Sequence, residues 1–260
     1  MNKTILIKAG GSILHEEERI TLLCDDIKSL KEAGYKIILV HGGGKAINEA
    51  LTIHDIPSEF IDGLRVTSSA AIKVIEMVLC GQVNQRLVRK LNHLGMDAIG
   101  LSGAEHKMLL CDYHSQKHGF VGDIQAVNPF FLNHILTSLD LMPVIASIGI
   151  DRDGNALNIN ADMAACHLAN SLGVDQLIYL TDQDGIYNAQ GKIFSSLSEQ
   201  NLQQLISHSI VEGGMLVKVK AILASLKAGL KGIMVLNGKQ NQILLDAVLH
   251  NKGVGTLCSN

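Results

Sequence analysis

Short apolar runs alternate with helical patterns along most of this chain. The apolar runs lie at 4–8, 36–40, 98–101, 142–146, 176–180 and 232–236. The helical patterns lie at 16–33, from about residue 45 onward, and at 69–94, 161–172, 215–228 and 241–249. Strands that are joined by crossover helices pair side by side in one direction. We therefore predict an α/β fold whose mainly parallel sheet runs through the whole chain.

Three segments interrupt this alternation. Residues 56–66, 107–124 and 148–157 lack helical periodicity and carry Gly, Asp-Gly or Pro. Such residues favour tight turns, so we predict hairpins that decorate the sheet. A strand–helix pattern returns after Gly173, and we place a boundary between two lobes there, at 1–173 and 174–260.

The composition limits the classes of partner. With 260 residues, of which 47% are hydrophobic and 18% charged, the chain can bury a large core. Its net charge is −3, aromatic residues make up 3%, and there is no Trp. A protein with neither a basic field nor aromatic stacking platforms is a poor partner for nucleic acid.

The N-terminus and the cysteines indicate the compartment. Lys8 comes too early for the apolar segment of a signal peptide, and no apolar stretch reaches membrane-spanning length. The five cysteines are scattered and form no C-x-x-C pair, which is typical of reduced thiols rather than of disulfides or zinc ligands. We expect a cytoplasmic protein that has no membrane partner.

Two glycine-rich turns follow the first two strands. They read Lys8-Ala9-Gly10-Gly11-Ser12 and His41-Gly42-Gly43-Gly44-Lys45. Glycine lets backbone N–H groups approach a phosphate, and the dipole of the following helix adds to the attraction. Neither turn fits a P-loop or a dinucleotide fingerprint. We favour anion-binding loops over turn geometry alone.

Polar residues precede the central helix, in Asn158-Ile159-Asn160-Ala161-Asp162. Side chains of this kind cap helices, and a redundant N-cap is the simplest interpretation. The same position favours anions, because the helix N-terminus carries free N–H groups and a positive dipole end.

Two lysines and an arginine are candidates for binding charge. Lys8 ends the first strand, and Lys218 follows Gly213-Gly214 at a helix start. Each alone would be an ordinary surface lysine, but together they could neutralise a transferring phosphoryl group while Asp162 holds both. Arg65 follows a predicted hairpin and suits a carboxylate. A carboxylate substrate is already ionised, so no general base is needed, and we find no catalytic triad or metal-ligand spacing.

Three other segments are weak candidates for metal sites. Asp151–Gly154 and Asp182–Gly185 lack most calcium-loop ligands and favour turns. The stretch His106–His118 is rich in histidine but offers no closely spaced ligand pair for a metal.

Seven motifs in this order resemble the amino acid kinase family, and within it the members that act on N-acetyl-L-glutamate. They begin at Lys8, His41, Gly63, Gly119, Asn158, Leu180 and Gly214, and read KAGG, HGGG, GLRVT, GFVG, NINAD, LTDQDG and GMLVK. The resemblance implies an open αβα sandwich that phosphorylates the side-chain carboxylate of N-acetyl-L-glutamate with ATP. It also implies that the first lobe binds the substrate and forms a homodimer, while the second lobe binds ATP. Mg²⁺ would arrive with ATP.

The resemblance also assigns roles to residues. Lys8, Lys218 and Asp162 would be catalytic. The substrate would be bound by Gly43, Gly44, Arg65 and Asn158. ATP would be bound by Lys8, Gly11, Thr181, Asp182, Gly185 and Lys218. Ala9 and Gln183 depart from the family's usual residues, but neither change removes a charge that the chemistry needs.

Several expectations remain open at this point. Few residues precede the first strand, so we expect a homodimer without the extra N-terminal helix that accompanies arginine inhibition in this family. An apolar stripe on the helix at 70–91 could form the dimer interface or belong to the core; it consists of Ile72, Ile75, Val78, Leu79 and Val83. The alternatives for function are another member, such as a uridylate or aminoadipate-type kinase, and a catalytically silent ligand-binding regulator on the same fold.

Overall fold

The structure, a computed structural model, describes residues 3–11 and 13–259. Met1, Asn2, Ser12 and Asn260 lie outside the described residues. The predictions that concern Met1 and Asn2, and the place of Ser12 in the first glycine-rich turn, therefore lie outside the described residues.

Within the described residues the chain forms fourteen strands. They are β1 (Thr4–Ala9), β2 (Lys36–His41), β3 (Phe60–Ile61), β4 (Leu64–Arg65), β5 (Ala98–Leu101), β6 (Leu109–Tyr113), β7 (Gly122–Val127), β8 (Met142–Ala146), β9 (Ile148–Ile150), β10 (Ala156–Asn158), β11 (Gln176–Thr181), β12 (Ser196–Ser198), β13 (Ile233–Asn237) and β14 (Thr256–Ser259).

The same part of the chain forms nine α-helices. They are α1 (Glu17–Glu32), α2 (Gly44–Ile53), α3 (Ser69–Glu76), α4 (Gln85–His93), α5 (Phe130–Thr137), α6 (Ala161–Leu172), α7 (Glu199–Ser207), α8 (Gly213–Lys227) and α9 (Ile243–Val248). A π-helical segment, Met77–Asn84, joins α3 to α4, and short 3₁₀ turns cover Glu105–Lys107 and Gln116–His118.

Eight strands form the central sheet, in the order β12-β14-β13-β11-β1-β2-β8-β5. The β13–β14 pair is antiparallel, and the other six neighbouring pairs are parallel. The sheet runs from the first strand to the last and crosses the predicted lobe boundary at Gly173 without a break. The predicted α/β fold with a mainly parallel sheet is confirmed.

Helices cover both faces of this sheet. Successive side chains on a strand point to opposite faces, so Ile5 and Ile7 of β1 enter one core and Leu6 enters the other. The first core includes apolar side chains of α1–α4 and α9, and the second includes those of α5–α8. The result is the three-layered open αβα sandwich that the resemblance implies.

Together α3, the π-helical segment and α4 form one long helix. The apolar stripe on this long helix belongs to the first core. Ile75 and Leu79 are at most 1% exposed, and Ile72, Val78 and Val83 are buried with them. Because the stripe packs inside the subunit, it cannot also form a dimer interface. Of the two interpretations that the sequence allowed, the core is correct.

The three predicted hairpins are present. β3 pairs with β4, β6 with β7 and β9 with β10, all antiparallel. The last two hairpins join in a four-stranded sheet, in the order β10-β9-β6-β7. A bridge between Thr67 and Gly119 attaches this small sheet to the segment that precedes α3, and a bridge between Val121 and Asn158 joins the residue before β7 to β10.

Helices long and apolar enough to cross a bilayer are not found among residues 3–11 and 13–259.

Candidate active site

The two glycine-rich turns meet at the carboxyl edge of the sheet. β1 and β2 are parallel neighbours, so the loops that follow them leave the sheet side by side. A Cβ atom on Gly11 would lie 2.6 Å from the backbone N of Gly44. Only glycine at position 11 permits this approach, which brings the first turn against the start of α2.

Two lysines meet one carboxylate beside these turns. Lys8 Nζ lies 2.8 Å from Asp162 Oδ1, and Lys218 Nζ donates a hydrogen bond of 2.7 Å to Asp162 Oδ2. Lys8 comes from the end of β1, Asp162 from the first turn of α6 and Lys218 from the second turn of α8. All three are 6–8% exposed. This buried group is called the Lys–Asp–Lys cluster below.

The cluster carries a net positive charge. Burial opposes ionisation of Asp162, but the charges of Lys8 and Lys218 outweigh it and hold the pKa of this carboxyl far below its usual range. Burial lowers the pKa of Lys218, and Asp162 opposes that shift. Two ammonium groups facing one carboxylate leave a positive charge unbalanced, so the cluster is suited to an anion.

Local contacts hold Asp162 in place. Asn160 caps α6, because its Oδ1 accepts hydrogen bonds from the N–H groups of Asp162 and Met163. Tyr179 Oη donates to the backbone carbonyl of Asp162 at 3.1 Å. Lys218 Nζ also lies 5.0 Å from the centroid of the Tyr179 ring. The N-cap predicted for this helix is therefore real, and it serves to orient the carboxylate.

A cleft lies between the second glycine turn, the β3–β4 hairpin and the start of α6. Its cavity volume is about 170 Å³. Gly43, Gly44, Arg65 and Asn158, the residues predicted to bind a substrate, all line it. A Cβ atom on Gly42 would lie 3.4 Å from Ala161, so the turn packs on the helix that carries Asp162.

Arg65 is buried in the wall of this cleft without an acidic partner. Its guanidinium donates to Ser58 Oγ and lies 4.6 Å from the centroid of the Phe60 ring. No ion pair of Arg65 exists among the described residues, and the side chain is 7% exposed. Burial lowers its pKa, but a guanidinium stays charged. A buried, unpaired guanidinium favours a ligand that carries a carboxylate.

Asn158 lines the same cleft as the glycine turn. Its Nδ2 donates to Thr67 Oγ1 at 3.2 Å, and Thr67 Oγ1 in turn donates to the carbonyl of Arg65 at 3.0 Å. This chain of hydrogen bonds couples Asn158 to the strand that carries Arg65.

The residues predicted for ATP lie in a second group, after β11. The loop follows β11, whose Tyr179 contacts both Asp162 and Lys218, so it leaves the sheet close to the cluster. Thr181 Oγ1 donates to Asp182 Oδ1 at 3.3 Å. A Cβ atom on Gly185 would lie 2.6 Å from Thr256 Oγ1, so Gly185 packs on β14. Among the described residues, no hydrogen bond joins Thr181 or Gly185 to the cluster.

Asp184 connects this loop to the next one. Its Oδ1 accepts hydrogen bonds from Asn237 Nδ2 at 2.7 Å and from Gln240 Nε2 at 2.8 Å. The Asp-Gly pair in this segment therefore lies in a loop that is hydrogen-bonded to the end of β13 and to the loop that follows it. Asp151 behaves as predicted for a turn, since its carboxylate accepts from the N–H groups of Asp153 and Asn155 in the β9–β10 hairpin.

Sequence reasoning missed several residues of the site. Ser58 and Phe60 position Arg65, and Tyr179 positions Asp162. Tyr179 could have been found from register, because it pairs with Lys8 across β1 and β11 and shares its face of the sheet. Ser58 precedes β3 and Phe60 lies in it, within the hairpin predicted at 56–66, but no sequence pattern predicts their contacts with Arg65.

Metal ligands do not converge anywhere in the part of the chain that the structure describes, including the histidine-rich stretch. There, His114 pairs with Asp123 at 2.8 Å, and His118 is fully buried.

Comparison with known proteins identifies the class. Residues 3–237 match the amino acid kinase family. The chain is 36% identical to the acetylglutamate kinase of Ruegeria pomeroyi over 253 residues, which cover 97% of this chain and 88% of that protein. It is 38% identical to the acetylglutamate kinase of Campylobacter curvus over 257 residues, covering 98% and 91%. The crystal structure of smu.665 from Streptococcus mutans UA159 has a TM-score of 0.84 and 27% identity, covering 100% of this chain and 99% of that one. This chain belongs to the amino acid kinase family.

Proposed function

We propose that this protein transfers the γ-phosphoryl group of ATP to the side-chain carboxylate of N-acetyl-L-glutamate. The products are N-acetyl-L-glutamyl 5-phosphate and ADP, and the reaction is the second step of arginine biosynthesis. One observation carries the proposal: Asp162 is held between Lys8 and Lys218 beside a cleft whose buried arginine has no acidic partner among the described residues. The acetylglutamate kinases of Ruegeria pomeroyi and Campylobacter curvus match nearly the whole of this chain.

The cleft supports an N-acylated dicarboxylate as acceptor. Arg65 would bind the α-carboxylate of the substrate, since its planar guanidinium matches two carboxylate oxygens. Asn158 would hydrogen-bond the acetamido group. The Gly43 and Gly44 amides, which have no acceptor among the described residues, would then lie near the side-chain carboxylate and the phosphoryl group.

The side of the site that is formed by the first glycine-rich turn and the loop after β11 supports ATP as the phosphoryl donor. Lys8, Gly11 and Lys218 would contact its phosphates, and the loop with Thr181, Asp182 and Gly185 would border the nucleotide. Each oxygen of Asp162 faces a lysine ammonium, Oδ1 that of Lys8 and Oδ2 that of Lys218. The cluster therefore leaves no free carboxylate for a metal, which suits a Mg²⁺ ion whose ligands are phosphate and water. Bound this way, Mg²⁺ would neutralise part of the negative charge on the phosphates.

The transfer itself needs positioning and positive charge. The acceptor carboxylate is ionised at neutral pH and attacks phosphorus without a general base. Negative charge spreads over the transferred phosphoryl oxygens, and Lys8 and Lys218 stabilise it from fixed positions. Asp162 keeps the two ammonium groups apart and correctly placed before the substrates bind.

A substrate panel tests the proposal. Purified protein is incubated with Mg-ATP, hydroxylamine and either N-acetyl-L-glutamate, glutamate, aspartate or UMP, and the hydroxamate is measured. We expect strong hydroxamate formation with N-acetyl-L-glutamate and about 10³-fold less with glutamate, whose free ammonium has no partner near Asn158. Equal rates with N-acetyl-L-glutamate and glutamate would contradict the substrate assignment.

We further propose a homodimer that works in the cytoplasm. β5 is an edge strand of the large sheet, and Met77 on the adjoining long helix is 57% exposed. An exposed apolar side chain and an open strand edge both support a self-complementary contact. All five cysteines are unpaired, as is usual in a reducing compartment. Light scattering at several concentrations would detect the dimer, and a monomer throughout would exclude it.

A further inference from the structure

Three unusual features of the fold converge on one point behind the glycine turn. His41 is fully buried at the end of β2. The long helix contains a π-helical segment that ends at Asn84. Gly100 lies inside β5, where glycine weakens a strand. The proposed reaction gives none of the three a role.

The Asn84 amide links these features. Its Nδ2 lies 2.8 Å from the carbonyl oxygen of Val144, 3.4 Å from that of Leu101 and 3.0 Å from His41 Nε2. Two carbonyl oxygens can only be faced by the nitrogen of an amide, so the surroundings fix its orientation. Asn84 therefore donates a hydrogen bond to His41 Nε2.

This donation sets the tautomer of His41. A ring nitrogen that accepts a hydrogen bond carries no proton, so the neutral ring carries its proton on Nδ1. Nδ1 lies 3.1 Å from the carbonyl oxygen of Gly42 and donates to it. Burial lowers the pKa of His41 to about 4, so the ring stays neutral near pH 7.

The same contact orients the peptide that begins the glycine turn. In a planar trans peptide, the C=O of Gly42 and the N–H of Gly43 point in opposite directions. With the carbonyl held by the buried ring, the Gly43 N–H points away from it. Within residues 3–11 and 13–259, the N–H groups of Gly43 and Gly44 have no acceptor, and both residues line the cleft.

We propose that His41 and Asn84 are positioning residues that aim the Gly43 N–H at the phosphoryl group during transfer. The inference rests on the proposed function, since it assigns the turn to that reaction. The π-helical segment places Asn84 inside the core, as such segments often do at functional sites. Gly100 makes room for it, because a Cβ atom there would lie 2.1 Å from Asn84 Oδ1.

Two substitutions of His41 separate this role from simple packing. In His41→Asn, the amide nitrogen can take the place of Nδ1 and donate to Gly42. In His41→Gln, the longer amide reaches the place of Nε2 and meets Asn84, but the Gly42 carbonyl loses its donor. We expect His41→Gln to lower kcat by about 10², with KM for N-acetyl-L-glutamate within about twofold of the parent's value. His41→Asn should keep kcat within about fivefold.

Melting temperatures of the two variants provide the structural control. Both remove the imidazole from one buried position, so a role in packing alone predicts equal losses of kcat and of stability. Equal losses of kcat would therefore overturn the proposal. Gly100→Ala displaces Asn84 and should lower kcat in the same way, whereas Gly253→Ala, where nothing lies within 4 Å of the added Cβ, should not.

The tautomer is measured independently of activity. ¹⁵N NMR of histidine-labelled protein, with the His41 signal identified by its loss in His41→Gln, should show Nδ1 protonated and Nε2 bare. A protonated Nε2 would overturn the inference whatever the activity. If the parent protein formed no hydroxamate with any substrate, the proposed function would be contradicted instead. The tautomer of His41 would still show whether His41 and Asn84 hold the Gly42 carbonyl as inferred.

Discussion

At the scale of single residues, the site depends on charges that are buried but incompletely balanced. Asp162 neutralises one of two lysines, and Arg65 has no acidic partner among the described residues. Burying a charge is costly unless it is paired, so a folded chain retains such groups where a ligand completes the pairing. The cluster and the arginine therefore make different predictions, because one faces charge that develops during transfer and the other faces charge that is always present.

Loss of either lysine should affect the chemical step. Lys8→Ala and Lys218→Ala should each lower kcat by about 10² or more and change KM for N-acetyl-L-glutamate little, because the lysines stabilise charge that grows in the transition state. Steady-state kinetics measures both constants. Lys220→Ala, on the exposed side of the same helix, is the control and should behave like the parent. A Lys218→Ala variant with normal kcat would disprove the role of that lysine.

Loss of Arg65 should affect binding instead. Arg65→Ala should raise KM for N-acetyl-L-glutamate by about 10² and reduce kcat far less, since the α-carboxylate is charged in both ground state and transition state. The exposed Arg89 provides a matched control in Arg89→Ala. If Arg65→Ala lowered kcat and left KM unchanged, the guanidinium would act on the phosphoryl group rather than on the substrate carboxylate.

At the scale of elements, loops hold the cleft together more than helices do. Gly119, in the β6–β7 hairpin, has a φ of +64°, and a Cβ atom on it would lie 2.3 Å from the carbonyl oxygen of Thr67. That carbonyl accepts from the N–H of Phe120 at 2.7 Å, while the Thr67 hydroxyl accepts from Asn158. The hairpin thus supports both sides of the cleft.

Gly119→Ala should therefore loosen the cleft. We expect a loss of ~2 kcal/mol or more in the free energy of unfolding and a raised KM for N-acetyl-L-glutamate. Gly154→Ala is the control, because Gly154 also has a positive φ, of +86°, but nothing lies within 4 Å of its added Cβ. Denaturant unfolding and steady-state kinetics measure the two effects. Equal effects of the two substitutions would show that backbone strain alone, and not the contact with Thr67, matters.

A second link joins α1 to α9. Asp26 is buried, and its carboxylate accepts a hydrogen bond from the N–H of Leu244 at 3.2 Å. Burial raises the pKa of Asp26 to about 6, against 3.8 for the free side chain. The folded state therefore binds this proton more tightly than the unfolded state, and stability falls as pH rises from about 4 to about 6.

Asp26→Asn should remove this penalty. Relative to the parent, the variant should gain ~1–2 kcal/mol at pH 8 and much less at pH 4, because at pH 4 the parent carboxyl is protonated in the folded state and only partly ionised in the unfolded state. Thermal or denaturant unfolding at the two pH values measures the difference. Asp25→Asn, at the exposed neighbouring position, controls for the change in net charge. A gain that is the same at both pH values would contradict the assigned pKa.

The sequence predicted long periodic elements well and short ones poorly. The core strands and α6 lie where predicted, because buried strands of a parallel sheet are continuous apolar runs. α7 was missed although Ser198 and Asn201 form a capping box, a signal that the sequence contains. β12 and β14 are short strands at one end of the sheet whose pairing depends on distant residues, and no local pattern specifies that pairing.

Only part of the candidate site could be predicted from the sequence. Lys8, Asp162 and Lys218 could be picked out together from their places at a strand end and at two helix starts, where α/β sheets bind anions, and the structure brings them together. Their catalytic roles stay predictions. His41 and Asn84 could not be connected from sequence, since their contact depends on a π-helical segment and on a glycine in a neighbouring strand.

At the scale of the whole molecule, one sheet joins both halves of the site. β1, which carries Lys8, pairs with β2 on one side and with β11 on the other. The cleft with Arg65 lies beyond β2, and the loop with Thr181 follows β11. The proposed substrate and nucleotide would therefore approach one another over β1, at the Lys–Asp–Lys cluster.

Isotope transfer tests the central claim most directly. N-acetyl-L-glutamate labelled with ¹⁸O in its side-chain carboxylate is incubated with the protein, Mg-ATP and hydroxylamine, and the released inorganic phosphate is analysed by mass spectrometry. If the carboxylate attacks the γ-phosphorus, hydroxylamine then displaces phosphate from the acyl carbon, and each phosphate carries one ¹⁸O atom from the substrate. We predict singly labelled phosphate in amounts equal to the hydroxamate. Unlabelled phosphate, formed by attack of water on ATP, would contradict the account.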